Sequence, residues 1–377
     1  MTPCTIKNVA IVYLLVVLTG CSHKVFIQEK VDNPIFHNNS SFDSSENISL
    51  TKFVSLKEKY KTDTIFKGEP DEFKRILLLR NWIRKVIPNN DYLDSYPGDG
   101  YAEAILDAGL RGQGFHCGHY MVVQNAIMNA YGYVTRCVGS GPGIKGGPDG
   151  HHGMNEIWLN KYHKWFLSDA QYNHHFEKNG IPLSALEVRD EHLKNKGADV
   201  QLVKGTDRIP LAADLIANKN GIYIKRTKEE FLQWYTWLEW DHTNNRYSAW
   251  PHFTSRINMY RDDYFKNHIW IWDGKPHWAY NTDVINFVDS RHAIEWTPNT
   301  ILGSVVIDGQ SATISLKSNT PNFREYQMKN ISEGTWAKCD SVVTLPLDKD
   351  RVELAFHSVN AANVTGPEYK IVLNIQP

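Results

Sequence analysis

Apolar residues recur with helical spacing in two stretches of the first half of the chain. Between Glu72 and Val86 they fall three and four positions apart, which predicts an amphipathic helix, and Pro88 ends the pattern. A second apolar stretch runs from Met121 to Tyr131 and stops at Gly132. We therefore expect two helices in this half of the chain.

A hairpin is predicted after the second helix. Residues 134–138 have the character of a strand, and residues 139–150 are a loop with six glycines and two prolines. Residues 152–159 and 164–169 are apolar stretches around a polar centre, as in two paired strands. If Asn160-Lys161 is the two-residue loop, paired positions sum to 321 and His152 faces Asp169. Such partners have Cβ atoms about 4.5–5.5 Å apart, close enough for a hydrogen bond between imidazole and carboxylate.

The second half of the chain changes character twice. Between Trp234 and Trp296 lie eight of the twelve tryptophans, and helical spacing predicts a helix through Phe231, Trp234, Tyr235 and Leu238. From about residue 300 onward apolar residues alternate, which predicts strands around Val352–Phe356 and Tyr369–Ile375. This tail looks like a small immunoglobulin-like or fibronectin-like sandwich, and we expect it to fold as a separate unit.

Composition narrows the function classes. The 377 residues are 42% hydrophobic and 22% charged, which is typical of a globular protein. The formal net charge is -1, so we do not expect the basic surface that nucleic-acid binding requires. Twelve Trp and eighteen Tyr exceed the needs of an ordinary core, so aromatic contact surfaces are expected.

The N-terminus reads as an export signal. Lys7 precedes an apolar run from Val9 to Leu18 that is too short to span a bilayer comfortably. Leu18-Thr19-Gly20-Cys21 resembles the bacterial lipobox, in which the cysteine carries the lipid and becomes the new N-terminus. The resemblance implies a lipid-anchored protein of the cell envelope, and Ser22 after the cysteine favours the outer membrane. An uncleaved N-terminal membrane anchor is the alternative.

One cysteine is placed for nucleophilic chemistry. Cys117 follows a glycine-containing loop and directly precedes the second helix. A thiol at a helix N-terminus lies at the positive end of the helix dipole, which favours the nucleophilic thiolate. Cys137 and Cys339 lack this setting. We expect Cys137 to pack in the core and Cys339 to be structural or incidental.

A metal site at His116, Cys117 and His119 is not expected, because the sequence has no second pair of ligands with matching spacing.

The order of a cysteine before a helix, a histidine at a strand start and an aspartate at the end of the next strand resembles the transglutaminase-like superfamily of papain-type cysteine enzymes. The matching stretch runs from about Leu77 to Asn173. It contains these motifs: Ala104-Ile105-Leu106, Cys117-Gly118-His119-Tyr120, Tyr131-Gly132-Tyr133, His152-Gly153-Met154-Asn155-Glu156 and Lys164-Trp165-Phe166-Leu167-Ser168-Asp169.

The resemblance implies a role for each triad member. Cys117 is the nucleophile, His152 the general base and then acid, and Asp169 the group that orients the histidine. His151 and His116 are extra histidines beside the expected positions, and a register slip of one residue would bring His151 into play. Gln113 is a candidate to help the Cys117 N–H stabilise an oxyanion, with a solvated glutamine as the alternative.

The predicted class is α+β, with a transglutaminase-like (papain-type) domain followed by an all-β sandwich. The predicted divisions are a signal peptide (residues 1–20), a flexible tether (21–50), the transglutaminase-like domain (51–200), an aromatic-rich middle region (201–299) and the sandwich (300–377).

The expected activity is hydrolysis, or transfer to an amine, of the acyl group of a peptide, protein or peptidoglycan-type amide through a thioester, without cofactor or metal. The alternative is a catalytically silent surface lipoprotein that binds a glycan or peptide through the tryptophan-rich region.

Overall fold

The structure is a computed structural model that describes residues 25–38, 46–89, 101–141, 152–217, 223–241, 257–261, 268–272, 285–288, 291 and 294–375. The predicted signal peptide, the predicted lipid attachment at Cys21 and the alternative base His151 lie outside the described residues.

The helices of the described residues lie in the first two thirds of the chain, and three of them pack around a fourth. In chain order they are α1 (Thr51–Tyr60), α2 (Glu72–Val86), α3 (Tyr101–Leu110), α4 (Cys117–Ala130), α5 (Ala185–Asn195) and α6 (Lys228–Leu232). Helix α2 has the predicted bounds, and its N-cap Asp71 accepts a hydrogen bond from the Lys74 N–H at 2.9 Å. Helix α4 is buried along almost its whole length, and α1, α2 and α3 pack around it. In the described part of the chain no helix is long and apolar enough to cross a membrane.

Strands make up most of the remaining regular structure. In chain order they are β1 (Phe26–Gln28), β2 (Thr135–Gly141), β3 (His152–Leu159), β4 (Lys164–Ser168), β5 (His174–Lys178), β6 (Ile181–Pro182), β7 (Gln201–Lys204), β8 (Ile209–Leu211), β9 (Ala213–Ala217), β10 (Tyr223–Thr227), β11 (Trp237–Asp241), β12 (Ile257–Arg261), β13 (His268–Trp272), β14 (Ile285–Val288), β15 (Ile301–Asp308), β16 (Ser311–Ser318), β17 (Phe323–Asn330), β18 (Ala337–Cys339), β19 (Val342–Pro346), β20 (Arg351–Asn360) and β21 (Tyr369–Ile375).

The central sheet is antiparallel with the order β14-β13-β12-β11-β2-β3-β4, and α4 packs on β2 and β3. The aromatic-rich middle region therefore extends the sheet of the preceding domain. Its predicted helix is wrong in part, because α6 ends at Leu232 and Leu238 lies on β11. Phe231, Tyr235 and Leu238 are buried in one hydrophobic core. Their helical spacing arises because a short helix, a turn and a strand all pack on this core.

The hairpin β3–β4 differs from the prediction in its loop. Leu159 faces Lys164 and Trp158 faces Trp165, so paired positions sum to 323 instead of 321. The loop has four residues, Asn160 to His163, and His163 has a positive φ of 51°. The predicted register was wrong by two residues, because the polar segment between the strands forms a four-residue loop instead of a two-residue one. A shift of two keeps every side chain on its predicted face.

The C-terminal region is a β-sandwich, as predicted. One sheet has the order β1-β21-β20-β17-β18 and the other β15-β16-β19, with a hydrophobic core between them. Strand β1 comes from the predicted tether: Phe26 pairs with Ile375 and is buried in the sandwich core. This part of the tether prediction is wrong. A strand of three residues between polar neighbours leaves no local pattern in the sequence, because its partner strand lies far along the chain.

The predicted boundary near residue 299 is an interface. The Asn299 side chain donates to Asn160 at 3.1 Å, and the Asn360 side chain donates to the Gly132 carbonyl at 2.8 Å. Gly132 has a φ of +73°, and a Cβ there would lie 2.5 Å from the Ala362 Cβ. The sandwich thus lies against the end of α4 opposite Cys117. Independent folding of residues 300–377 stays a prediction.

Candidate active site

Cys117 is the first residue of α4. His116 caps the helix, and its Nδ1 accepts a hydrogen bond from the Gly118 N–H at 3.2 Å. The thiol is partly exposed, whereas Cys137 is buried in the sheet beneath the helix. Because the first N–H groups of a helix have no intrahelical partner, the Cys117 N–H is available to an oxyanion at this helix end.

Two glycines let β3 approach the first turn of α4. A Cβ on Gly153 would lie 3.7 Å from the Gly118 Cα and 3.3 Å from the Met121 Sδ. There is little room for a larger side chain at this contact. The close packing of Gly153 on this turn accompanies the position of His152 beside Cys117.

His152 and Asp169 form a hydrogen-bonded pair, with 2.7 Å between His152 Nε2 and Asp169 Oδ2. Ser168 at the end of β4 pairs with Asn155, so the next residue, Asp169, lies on the same face as His152 when this register is continued. Asp169 Oδ1 accepts the Tyr172 N–H at 3.0 Å, which fixes the carboxylate. With Nε2 engaged, His152 Nδ1 is the nitrogen left for Cys117.

The electrostatics of the three residues favour an ion pair. Burial raises the pKa of the Cys117 thiol, but hydrogen bonds and charges of His116 and His152 outweigh burial and hold that pKa well below its usual value. Burial lowers the pKa of His152, and the charge and hydrogen bond of Asp169, with Cys117, raise it to about 10. Burial alone would raise the pKa of Asp169, yet His152 and His174 hold it far below its usual value. All three shifts favour the charged forms, a thiolate, an imidazolium and a carboxylate.

A second layer of residues lies behind the triad. The Tyr172 ring stacks on the His152 ring at 5.2 Å and 26°. His174 lies 3.4 Å from Asp169 Oδ2 and 3.8 Å from Asp214 Oδ2. His174 joins the triad carboxylate to a second carboxylate in the protein interior.

His174 and His175 lie in the protein interior behind the triad. Each is 1% exposed, because residues 174–178 form β5, which is covered on both faces. His175 hydrogen-bonds Glu177 at 2.8 Å, and the buried Arg80 donates to the His174 carbonyl at 2.9 Å. In the sequence, the apolar Phe176 is the feature that indicates this third strand after the hairpin.

A buried ion pair supports the sheet next to the site. The Arg136 guanidinium on β2 lies 2.6 Å from the Glu156 carboxylate on β3, and both side chains are buried. Glu156 also accepts hydrogen bonds from the Trp240 indole and the Ala185 N–H, at 2.8 and 2.7 Å. Arg136 donates in turn to the Ile294 carbonyl at 2.6 Å. The pair joins two strands, the start of α5 and the segment that leads to the sandwich.

Gln113 is half-buried in the turn between α3 and α4, where its N–H donates to the Ala108 carbonyl at 3.0 Å. Its contribution to an oxyanion site stays a prediction. Among the described residues no group of three or more potential ligands is arranged to hold a metal ion.

Comparison with known proteins identifies the domain that carries this site. Residues 59–170 match the model of the transglutaminase-like superfamily, and Cys117, His152 and Asp169 all lie within the match. This part of the chain is a transglutaminase-like domain, followed by an all-β C-terminal region. A search of curated proteins gives no match. Among solved structures the chain is similar to red sea bream transglutaminase, at 10% identity over 86% of this chain and 72% of that chain; the TM-score of 0.24 adds nothing to the family match.

Proposed function

We propose that this protein is a cell-envelope lipoprotein that hydrolyses peptide or protein amides through a thioester on Cys117. The observation that carries the proposal is the hydrogen-bonded pair of His152 and Asp169 beside a partly exposed thiol at a helix N-terminus. The transglutaminase-like domain around this site supports the reaction class.

Each triad residue has a defined step. The Cys117 thiolate attacks the amide carbonyl carbon, and the resulting oxyanion lies at the N-terminus of α4. The His152 imidazolium gives its proton to the leaving nitrogen, the C–N bond breaks and an acyl thioester remains. Neutral His152 then takes a proton from water as water attacks the thioester, and cleavage of the C–S bond restores the thiolate.

Asp169 orients the His152 ring and stabilises its charged form throughout these steps. Its bond to Nε2 holds Nδ1 toward the sulfur, and its negative charge stabilises the imidazolium. We favour water as the acceptor because water is abundant and the sequence shows no acidic pocket for an amine.

The lipid anchor belongs to the same proposal and rests on the lipobox. Loss of metabolic fatty-acid labelling in a Cys21→Ala variant is the expected result, and unchanged labelling would contradict the anchor.

The thioester itself is the most informative product to detect. Incubation with peptide and peptidoglycan-fragment libraries, followed by acid quenching and mass spectrometry, should show acyl adducts on Cys117 that hydroxylamine removes. Cys339→Ser should retain the adducts, and Cys117→Ala should lose them. Absence of any adduct, with Cys117 still alkylated by iodoacetamide, would favour the second candidate, a silent glycan- or peptide-binding lipoprotein.

A further inference from the structure

A stacked arginine lies on β10 near the triad. The Arg226 guanidinium is 4.3 Å from the Trp234 ring centroid and 5.6 Å from that of Phe231. Such stacking holds the guanidinium plane and leaves its N–H groups, which point outward in that plane, free to bind a ligand. The side chain is half-buried.

Within the described residues the Arg226 guanidinium has no hydrogen-bond or ion-pair partner. Asp214 stands directly opposite Arg226 on β9, on the same face of this two-stranded sheet. Both Asp214 oxygens instead accept from Lys204 Nζ at 2.6 Å, and one lies 3.8 Å from His174. Burial outweighs the charges of Tyr172, Glu230 and Tyr235 and lowers the pKa of Arg226, so the guanidinium is a partly desolvated cation.

A series of ring contacts, through the buried Phe231, connects Arg226 to the triad. Phe231, beneath the guanidinium, contacts Tyr172 with 5.9 Å between ring centroids, and Tyr172 stacks on His152 at 5.2 Å. Three steps of less than 6 Å separate the guanidinium from the histidine, a path that about five residues of extended chain can span.

We propose that Arg226 binds a carboxylate of the substrate, so that the enzyme prefers acidic peptides with Glu or Asp within about five residues of the scissile amide. A guanidinium matches a carboxylate with two parallel hydrogen bonds, a stronger and more selective contact than one with a neutral amide. Trp234 beside Arg226 and Tyr172 beside His152 are both partly exposed and offer flat apolar surface to a peptide at the two ends of this path. This inference rests on the proposed function and adds a substrate class to it.

The test measures binding to a full-length Cys117→Ala variant, which requires no turnover. The probes are acetylated, amidated octapeptide pools of uncharged residues in which one position at a time is fixed as Glu or as Gln. We expect one or two positions at which Glu pools bind about tenfold more tightly than Gln pools. Adding Arg226→Gln should abolish that difference and leave binding of the Gln pools unchanged.

Lys225 provides the matched control, because it is the exposed neighbour of Arg226 on the opposite face of β10. Lys225→Gln removes the same charge and should keep the preference for Glu. Equal binding of Glu and Gln pools at every position, a preference that survives Arg226→Gln, or an equal loss in Lys225→Gln would overturn the proposal. Because the readout is binding, it stays interpretable if no thioester forms on the wild-type protein.

Discussion

Replacing His152 by Ala should lower the rate of amide cleavage by about 10³-fold or more, since removal of a triad histidine takes away both the base and the acid. The same variant should slow alkylation of Cys117 by iodoacetamide at pH 7, because the thiol loses the imidazolium that lowers its pKa. Both rates are measurable on one preparation, by product formation and by intact mass.

His151→Ala is the matched control for this variant. Because successive residues of a strand alternate between faces, the sequence predicts that His151 faces away from Asp169, so most of the activity and of the thiol reactivity should remain. Normal activity in His152→Ala together with loss in His151→Ala would contradict the assignment of the base. The observed shift of two residues in the hairpin does not disturb this expectation, whereas a shift of one would reverse it.

Replacing Glu156 by Ala should destabilise the protein by about 3–5 kcal/mol, because it leaves the Arg136 charge buried without its partner. Two further donors, the Trp240 indole and the Ala185 N–H, lose their acceptor at the same time. The free energy of unfolding from urea titration is the measurement.

Glu229→Ala is the comparison, since Glu229 pairs with Lys228 and its side chain is 59% exposed. That change should cost less than about 1 kcal/mol. Similar losses in the two variants would show that the Arg136–Glu156 pair is not the link between sheet, α5 and the segment before the sandwich.

Local patterns were sufficient for the elements that carry the site. Helical spacing located α2, the apolar run located α4, and two flanking stretches located β3 and β4. Cys117, His152 and Asp169 were found because each lies at the end of such an element. The even register shift left the His152 and Asp169 side chains on one face.

Features that depend on distant parts of the chain were not predictable in this way. Strand β1 has three residues and pairs with β21, more than 340 positions later. His174 acquires its place only when β5 turns back behind the triad and β9 brings Asp214 beside it. Tyr172, in the turn between β4 and β5, stacks on His152. The spacing of apolar residues along the chain does not indicate that contact.

The pH dependence of Cys117 alkylation tests the central claim, a thiolate held by an imidazolium, most directly. Rates for Cys117, Cys137 and Cys339, the free cysteines of the described residues, can be followed together by mass spectrometry of peptides. Since the pKa of Cys117 is lowered and that of His152 is raised to about 10, the Cys117 rate should stay nearly constant from about pH 6 to about pH 9. Cys339, whose pKa burial raises to about 11, should react slowly below pH 9 and then accelerate. A Cys117 rate that rises about tenfold per pH unit up to pH 8, as for an ordinary thiol, would contradict the account.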